Sequence, residues 1–331
     1  MPKRLRFLAS RLLTYVLVIL FGITFVFFIP RLLPVNPVDA MLGRMLSQGS
    51  YMEQSQVEAL RASLSDAFGL NGSLPSQYLG FLRRVLVSHD FGPSMAMYPT
   101  PVTSLIAQAM PWTLGLLITT VLIAWVIGNG LGLFIGMRGG TRLAGVLEGV
   151  AIVLYPLPYF VLALVLSILF SYIWQVFPLT TTIRGDGLAR VWTIIYHSIL
   201  PALSILLVTF GWWMLSMRAL TVALLDEDFV SYGRLKALRP SRLTLRYILP
   251  NALLPQVTFL ALQLGLIFNG SIITEVVFNY PGLGSLIYTA IQQGDYNLLM
   301  GTVSFSIVAV ATATLLLDLI YPLLDPRIRQ Q

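Results

Sequence analysis

The sequence predicts an all-α integral membrane protein with six transmembrane helices and both termini on the cytoplasmic side. The chain of 331 residues is 56% hydrophobic and 11% charged, and a water-soluble domain of that composition would expose far too much apolar surface. Six apolar runs are each long enough for the roughly 20-residue helix that crosses a bilayer. Lys and Arg gather at alternate ends of those runs, the bias that orients membrane proteins.

Residues 1–11 form a basic N-terminal segment with Lys3, Arg4, Arg6 and Arg11. The first span follows at 12–33. Such a start could also open a signal peptide, but the apolar part is too long for that, and PRLLPVNP stands where a small-residue cleavage site belongs. The span is therefore read as a retained anchor. A loop over 34–110 comes next, on the external side. Within it MEQSQVEALRASLSDAF puts Val57, Leu60, Leu64 and Phe68 on one side of an amphipathic helix, with Glu53, Glu58 and Asp66 toward water. That helix could lie on the membrane domain or meet an external partner.

The remaining spans are Trp112–Met137, Gly149–Trp174, Ser198–Leu225, Ala252–Phe278 and Leu298–Leu324, which together make a core region over 111–325. A cytoplasmic loop at 226–250 interrupts it, and a short C-terminal segment at 326–331 ends the chain. With the termini inside, the internal segments hold thirteen of the twenty-one Lys and Arg residues: the four at the N-terminus, Arg138, Arg142, Arg234, Lys236, Arg239, Arg242, Arg246, Arg327 and Arg329. Four of the other eight, Arg44, Arg61, Arg83 and Arg84, fall in the 34–110 loop, which is long enough to translocate regardless of charge.

Several chemistries are excluded. There is no cysteine, so disulfides, thiolate metal sites and thiol catalysis are ruled out. The net charge of +7 sits beside apolar spans rather than in an aromatic-interleaved patch, which argues against nucleic acid. The two histidines, His89 and His197, cannot form HExxH, and neither Lys3 nor Lys236 follows a GxxxxG phosphate loop. A GxSxG elbow is absent. Gly185-Asp186-Gly187 lacks the second intramembrane aspartate that an aspartyl protease needs. The chain therefore carries no catalytic, cofactor or metal site of its own.

Ionisable residues inside spans are functional candidates by default. Arg218, Glu275 and Asp318 qualify, although all three lie toward span ends, where snorkelling or a polar neighbour accounts for them. Asn269, Ser271 and Glu275, in the outer half of span five, are the candidate pathway residues. Pro156, Pro158 and Pro255, with Gly128, Gly130 and Gly132, permit kinks or close helix packing.

The most informative stretch is Asp228 to Pro250, DFVSYGRLKALRPSRLTLRYILP. Asp226, Glu227 and Asp228 stand where carboxylates favour a helix N-terminus. Phe229, Tyr232, Leu235, Lys236 and Leu238 can then present an apolar and basic surface. Arg239-Pro240-Ser241 stops that helix, and a second stretch from Arg242 to Leu249 leads back into the membrane at Pro250. A helix, turn and helix along the bilayer surface is expected.

This stretch resembles the coupling loop, or EAA region, of permease subunits of ATP-binding-cassette importers, most closely the dipeptide, oligopeptide and nickel branch. The residues standing at the motif's positions include Asp228, Phe229, Gly233, Leu235, Lys236, Ala237 and Leu238, with Leu249 and Pro250 at the family distance. Further family-like phrases run along the chain: FIPRLLPVNPVD, DFGPS, Pro101-Val102, LPYF, NALLPQVT, EVVF followed by YPGLG, and the ending Leu323-Leu324-Asp325-Pro326-Arg327. One departure is Ala237, where the family has glycine; alanine implies a regular helical conformation there or an altered dock. The resemblance implies a type I importer permease in a bacterial or archaeal cytoplasmic membrane. Its implied partners are a second, similar permease subunit, one or two cytoplasmic ATPases that bind ATP and Mg, an external substrate-binding protein and the lipid bilayer. Oligopeptides or related small solutes are the implied cargo, with short oligosaccharides, nickel chelates and opines as alternatives. A secondary transporter is the rival from another class, but no internal repeat supports it.

Overall fold

Among the described residues, five helices are long and apolar enough to cross a membrane, and a helix pair bent through 101° brings the number to six when counted as one crossing. The computed structural model describes residues 3–324 except 33–35, 48–52, 179, 183–184, 266 and 268–271. The C-terminal segment 326–331, with Arg327 and Arg329, therefore lies outside the described residues, as do Asp325 and Pro326 of the family-like ending.

The helices are, in order, α1 (Lys3–Arg31), α2 (Pro37–Ser47), α3 (Gln54–Ala67), α4 (Leu74–Arg83), α5 (Val102–Met137), α6 (Arg142–Leu154), α7 (Tyr159–Leu166), α8 (Gly187–Leu225), α9 (Asp228–Leu235), α10 (Pro240–Leu243), α11 (Leu249–Gly265), α12 (Ile272–Val277), α13 (Leu283–Gln293) and α14 (Tyr296–Leu324). Wider π-helical turns extend α4 over Arg84–Ser88 and α7 over Ser167–Ile173, and another joins α10 to α11 over Thr244–Ile248.

Two of the long helices start well before the expected spans. α5 begins at Val102 rather than Trp112, and α8 at Gly187 rather than Ser198. A hydropathy window registers only the apolar part of a helix, and these leading turns carry Thr103, Ser104 and Gln108 in one case and Arg190, Thr193 and His197 in the other. The third expected span breaks at Tyr155–Pro158 and starts at Arg142. Pro158 supplies no N–H and stands at the N-cap of α7, where it favours the break, whereas Pro255 lies inside α11. The fifth, expected over Ala252–Phe278, is a crossing helix from Pro240 to Gly265, and Ile272–Val277 form the separate short helix α12.

The chain divides into two compact units. One comprises Met1–Thr113, Phe268–Ile272 and Pro281–Leu315. Here α1 buries Ile19, Ile23, Val26 and Phe27 along one stripe, against Phe81, Val85 and Met300, while Phe21, Phe25 and Leu32 remain exposed, as suits a helix with one face toward lipid. In α3, Leu64 is buried and Val57 and Leu60 pack beside it; with Phe68 just beyond the helix, they meet Val38, Leu42 and Met95. The amphipathic α13, too short to span, sets Leu283 and Ala290 against Val102, Ile106 and Leu298. Asp295 is fully buried. It accepts hydrogen bonds from the Ser94 hydroxyl and the Ala96 N–H on one oxygen, and from the Leu298 N–H at the start of α14 on the other. The DFGPS segment is thereby pinned to α14, and no donor at the anion is left wasted.

The second unit comprises Leu114–Ile267, Ile273–Tyr280 and Leu316–Gln331. Its core sets α5 and α6 against α8 through Ala124, Ile135, Ala144, Ala151, Phe210, Trp213 and Met214.

Candidate functional site

The stretch 228–250 belongs to the second unit, and its backbone is set residue by residue. Glu227 is the N-cap of α9 and Asp228 lies in the first turn, where negative charge offsets the exposed N–H groups. The helix ends in a Schellman motif: the Leu238 N–H bonds to Gly233 O at 3.1 Å and the Ala237 N–H to Arg234 O at 2.9 Å. Ala237 closes it with φ 50, in the left-handed region. The regular helical conformation expected for alanine is thus not adopted. The two bonds fix the turn more strongly than alanine's own preference, which is against this region by about 1–2 kcal/mol. Ala237→Gly is expected to stabilise the chain by about 0.5–1 kcal/mol, seen as a higher Tm of the purified protein; an unchanged or lower Tm would contradict the strain.

Pro240 does not merely stop a helix. It opens the next one, at the first turn of α10, where its fixed φ and missing N–H cost nothing. The second stretch therefore begins two residues before the expected Arg242, and it does not pause at Leu249 or Pro250. Instead the helix crosses the π-helical turn and continues as α11, so the loop is one short helix joined by a turn to the end of a spanning helix.

Burial divides the named residues into two sets. Val230 is fully buried and, with Leu243 and Ile248, packs against Leu133 and Met137 of α5, Leu224 and Leu225 of α8, and Phe229. Each such side chain contributes about 1.5–3 kcal/mol. Gly233 is buried in the same seam, where a Cβ would stand 2.6 Å from Leu243 Cδ1, so a larger residue there would make that leucine side chain shift. The opposite face is open. Tyr232 is 65% and Leu235 82% exposed, three residues apart on one helix face, with Lys236 exposed beside them and Leu238 half-buried. Ala237, Leu238, Arg239, Ser241, Arg242, Leu245 and Arg246 line an open groove next to this face, and its three guanidinium groups make it positive.

α9 is thus seated on the ends of α5 and α8, and those two helices are held together by small residues. Gly128, Gly132 and Gly136, spaced by four, lie against Trp213, Met214 and Thr221 respectively, with Met217 also touching Gly132. Gly130, which the sequence reading grouped with Gly128 and Gly132, has nothing within 4 Å of a built Cβ. Gly136 was missed, although its spacing was the signal. Arg218 is paired with Glu148 of α6 at 3.1 Å, the polar neighbour expected for a charge in a span. Gln256 of α11, buried, donates to Ser216 Oγ at 2.8 Å. Sequence reasoning did not single it out, though it is an amide in a helix that crosses an apolar layer.

Of the expected pathway residues, Asn269 and Ser271 lie outside the described residues, whereas Glu275 is fully buried in α12. The backbone around Glu275 is braced, with the Tyr280 N–H on Glu275 O at 2.7 Å and the Tyr280 hydroxyl on Ser198 at 3.0 Å. Asp318 is half-buried in α14.

Sequence comparison supplies the family. Residues 128–330 match the family described as binding-protein-dependent transport system inner membrane component. Among similar proteins, one of Brucella suis biovar 1 (strain 1330), named as a peptide permease, is 31% identical over 325 residues, 98% of this chain and 99% of that one. The Dipeptide transport system permease protein DppB of Bacillus subtilis (strain 168) is 28% identical over 98% of each chain. The Glutathione transport system permease protein GsiC of Pectobacterium atrosepticum is 30% identical over 98% of this chain and 99% of its own length. The match takes in the stretch 228–250, all of α8, the last ten residues of α5 and the bent pair, so this all-helical, multi-pass chain belongs to the family of inner-membrane permease components of binding-protein-dependent ABC importers.

Proposed function

We propose that this chain forms half of the translocation pathway of a peptide importer and that α9, with the turn to α10, is the element a cytoplasmic ATPase grips. The observation that carries this reading is the division of α9 into a face locked onto α5 and α8 and a face that presents Tyr232, Leu235 and Lys236 to solvent. An exposed leucine and tyrosine flanked by cations are suited to an apolar groove with an acidic rim on a partner. Peptides are the cargo class because the similar proteins are named for peptides, dipeptides and glutathione. No corresponding support exists for short oligosaccharides.

On this reading α9 and both termini face the cytoplasm, as the Lys and Arg distribution indicates. ATP and Mg are bound by one or two ATPase subunits, a second permease completes the pathway, and an external binding protein delivers the cargo. Closure of the ATPases on ATP pushes α9. Since Val230 holds α9 on the ends of α5 and α8, the push moves those helices as a body rather than bending a loop. No covalent chemistry on the peptide is required of this chain.

The test is to purify the tagged chain from its native membrane in mild detergent, identify stoichiometric partners by mass spectrometry, and assay the complex in liposomes for peptide uptake. A second six-span permease, a P-loop ATPase and ATP-dependent accumulation of peptide are expected. Recovery of the chain alone, from a detergent that preserves other such complexes, would contradict the proposal.

A further inference from the structure

We propose that Arg31 and Arg84 together hold the phosphate of an anionic phospholipid headgroup. Both belong to the first unit and both are half-buried. Arg31 ends α1, two residues beyond the apolar span Arg6–Ile29, and Arg84 begins the π-helical turn after α4.

The two guanidinium groups flank one turn. Arg31 Nε donates to Gln77 at 3.3 Å, and Gln77 Nε2 donates to Leu70 O at 2.8 Å. The Arg84 guanidinium lies against the adjoining Gly69, where a Cβ would stand 2.2 Å from Nη2. Gly69, at φ +65, therefore meets both needs of the site, a left-handed turn and an open slot. Arg31 is fixed on its other side, with its guanidinium carbon 3.6 Å from the centre of the Phe27 ring and Nη1 donating to Phe27 O at 3.0 Å.

Two cations are thus gathered without a counter-charge. Among the described residues neither guanidinium is within ion-pair distance of a carboxylate. The nearest acids along the chain are engaged elsewhere, Asp39 by Arg61, Asp66 by the Asn71 amide and Asp90 by the Gly92 N–H. Like charges brought together in partly dry surroundings are stabilised by an anion between them, and a phosphate offers acceptor oxygens to two planar donors at once.

The position selects lipid as the source of that phosphate. Phe28 and Ile29 of α1 and Leu32 just beyond it, the neighbours of Arg31 in sequence, are exposed apolar side chains, and their place is beside acyl chains. Arginine at the end of such a stretch reaches the level of the headgroups.

The test uses the full chain, purified with its partners and stripped of lipid, then titrated with micelles containing phosphatidylglycerol or phosphatidylcholine, with retained lipid counted by native mass spectrometry. Phosphatidylglycerol is expected to be retained about tenfold more tightly than phosphatidylcholine, and Arg84→Gln to remove that preference. Among the described residues the Arg84 guanidinium makes no hydrogen bond, so the Tm of Arg84→Gln in lipid-free detergent should match the parent and separate lost binding from lost fold. Arg31→Gln is expected to reduce retention similarly. Equal retention of the two lipids, or a preference that survives Arg84→Gln, would overturn the proposal. Displacement of phosphatidylglycerol by millimolar inorganic phosphate would reassign the site to a soluble anion and overturn the lipid source.

Discussion

Leu235→Glu is expected to abolish ATP-dependent uptake while leaving the chain folded in the membrane. The leucine is 82% exposed, so its replacement should shift stability by no more than about 0.5 kcal/mol. A central apolar anchor of an interface is worth about 2–4 kcal/mol, which is roughly a 30-fold or greater loss of ATPase affinity. Co-purification of the ATPase and peptide uptake should fall together, and chain yield should not. Val230→Asp makes the contrast. That residue is fully buried between α9, α5 and α8, and an unpaired carboxylate there should lower yield and coupling alike. Uptake that survives Leu235→Glu would separate α9 from the ATPase.

Gly132→Leu is expected to be the most damaging single change in the membrane-embedded part. A Cβ at residue 132 would stand 2.4 Å from Met214 O and 2.7 Å from Met217 Cβ. Neither can swing aside as the tip of a long side chain could. The α5–α8 seam would have to open, at a cost of at least about 3 kcal/mol, because close approach of backbones is what small residues supply between membrane helices. Gly130→Ala, only two residues away, should be neutral within about 0.5 kcal/mol, since a Cβ there meets nothing within 4 Å. Thermal denaturation of the two purified variants, with membrane yield, measures the difference.

Much of this was legible in the sequence because the bilayer imposes a coarse code. Long apolar runs announced the crossing helices, and five basic residues among 23 marked the stretch 228–250. Hydropathy could not reveal helical turns buried in protein rather than lipid. It therefore missed the starts of α5 and α8 and the whole of α13, whose Leu283, Leu286 and Ala290 carry a helical period over too short a length to span. Ala237 shows a different limit. Its conformation is decided by two hydrogen bonds, its own N–H to Arg234 O and the Leu238 N–H to Gly233 O, and no preference of alanine itself would predict it. The proline at 240 was read as a stop when it is equally a start, since the same missing N–H serves both roles. Within the candidate site, the exposed and buried faces of α9 could be separated only once Leu133, Met137, Leu224 and Leu225 were seen to cover Val230.

The central claim is that the exposed face of α9 is where the ATPase docks. Because the sequence contains no cysteine, single cysteines can be placed at will. Leu235→Cys and Tyr232→Cys would be compared with Leu188→Cys, at the far end of α8, a helix of 39 residues and roughly 58 Å. Assembled complexes treated with a short thiol-to-amine cross-linker should join residues 232 and 235 to the ATPase and leave residue 188 unlinked. A cross-link from residue 188, or none from residues 232 and 235 in a complex that still hydrolyses ATP and imports peptide, would contradict the account.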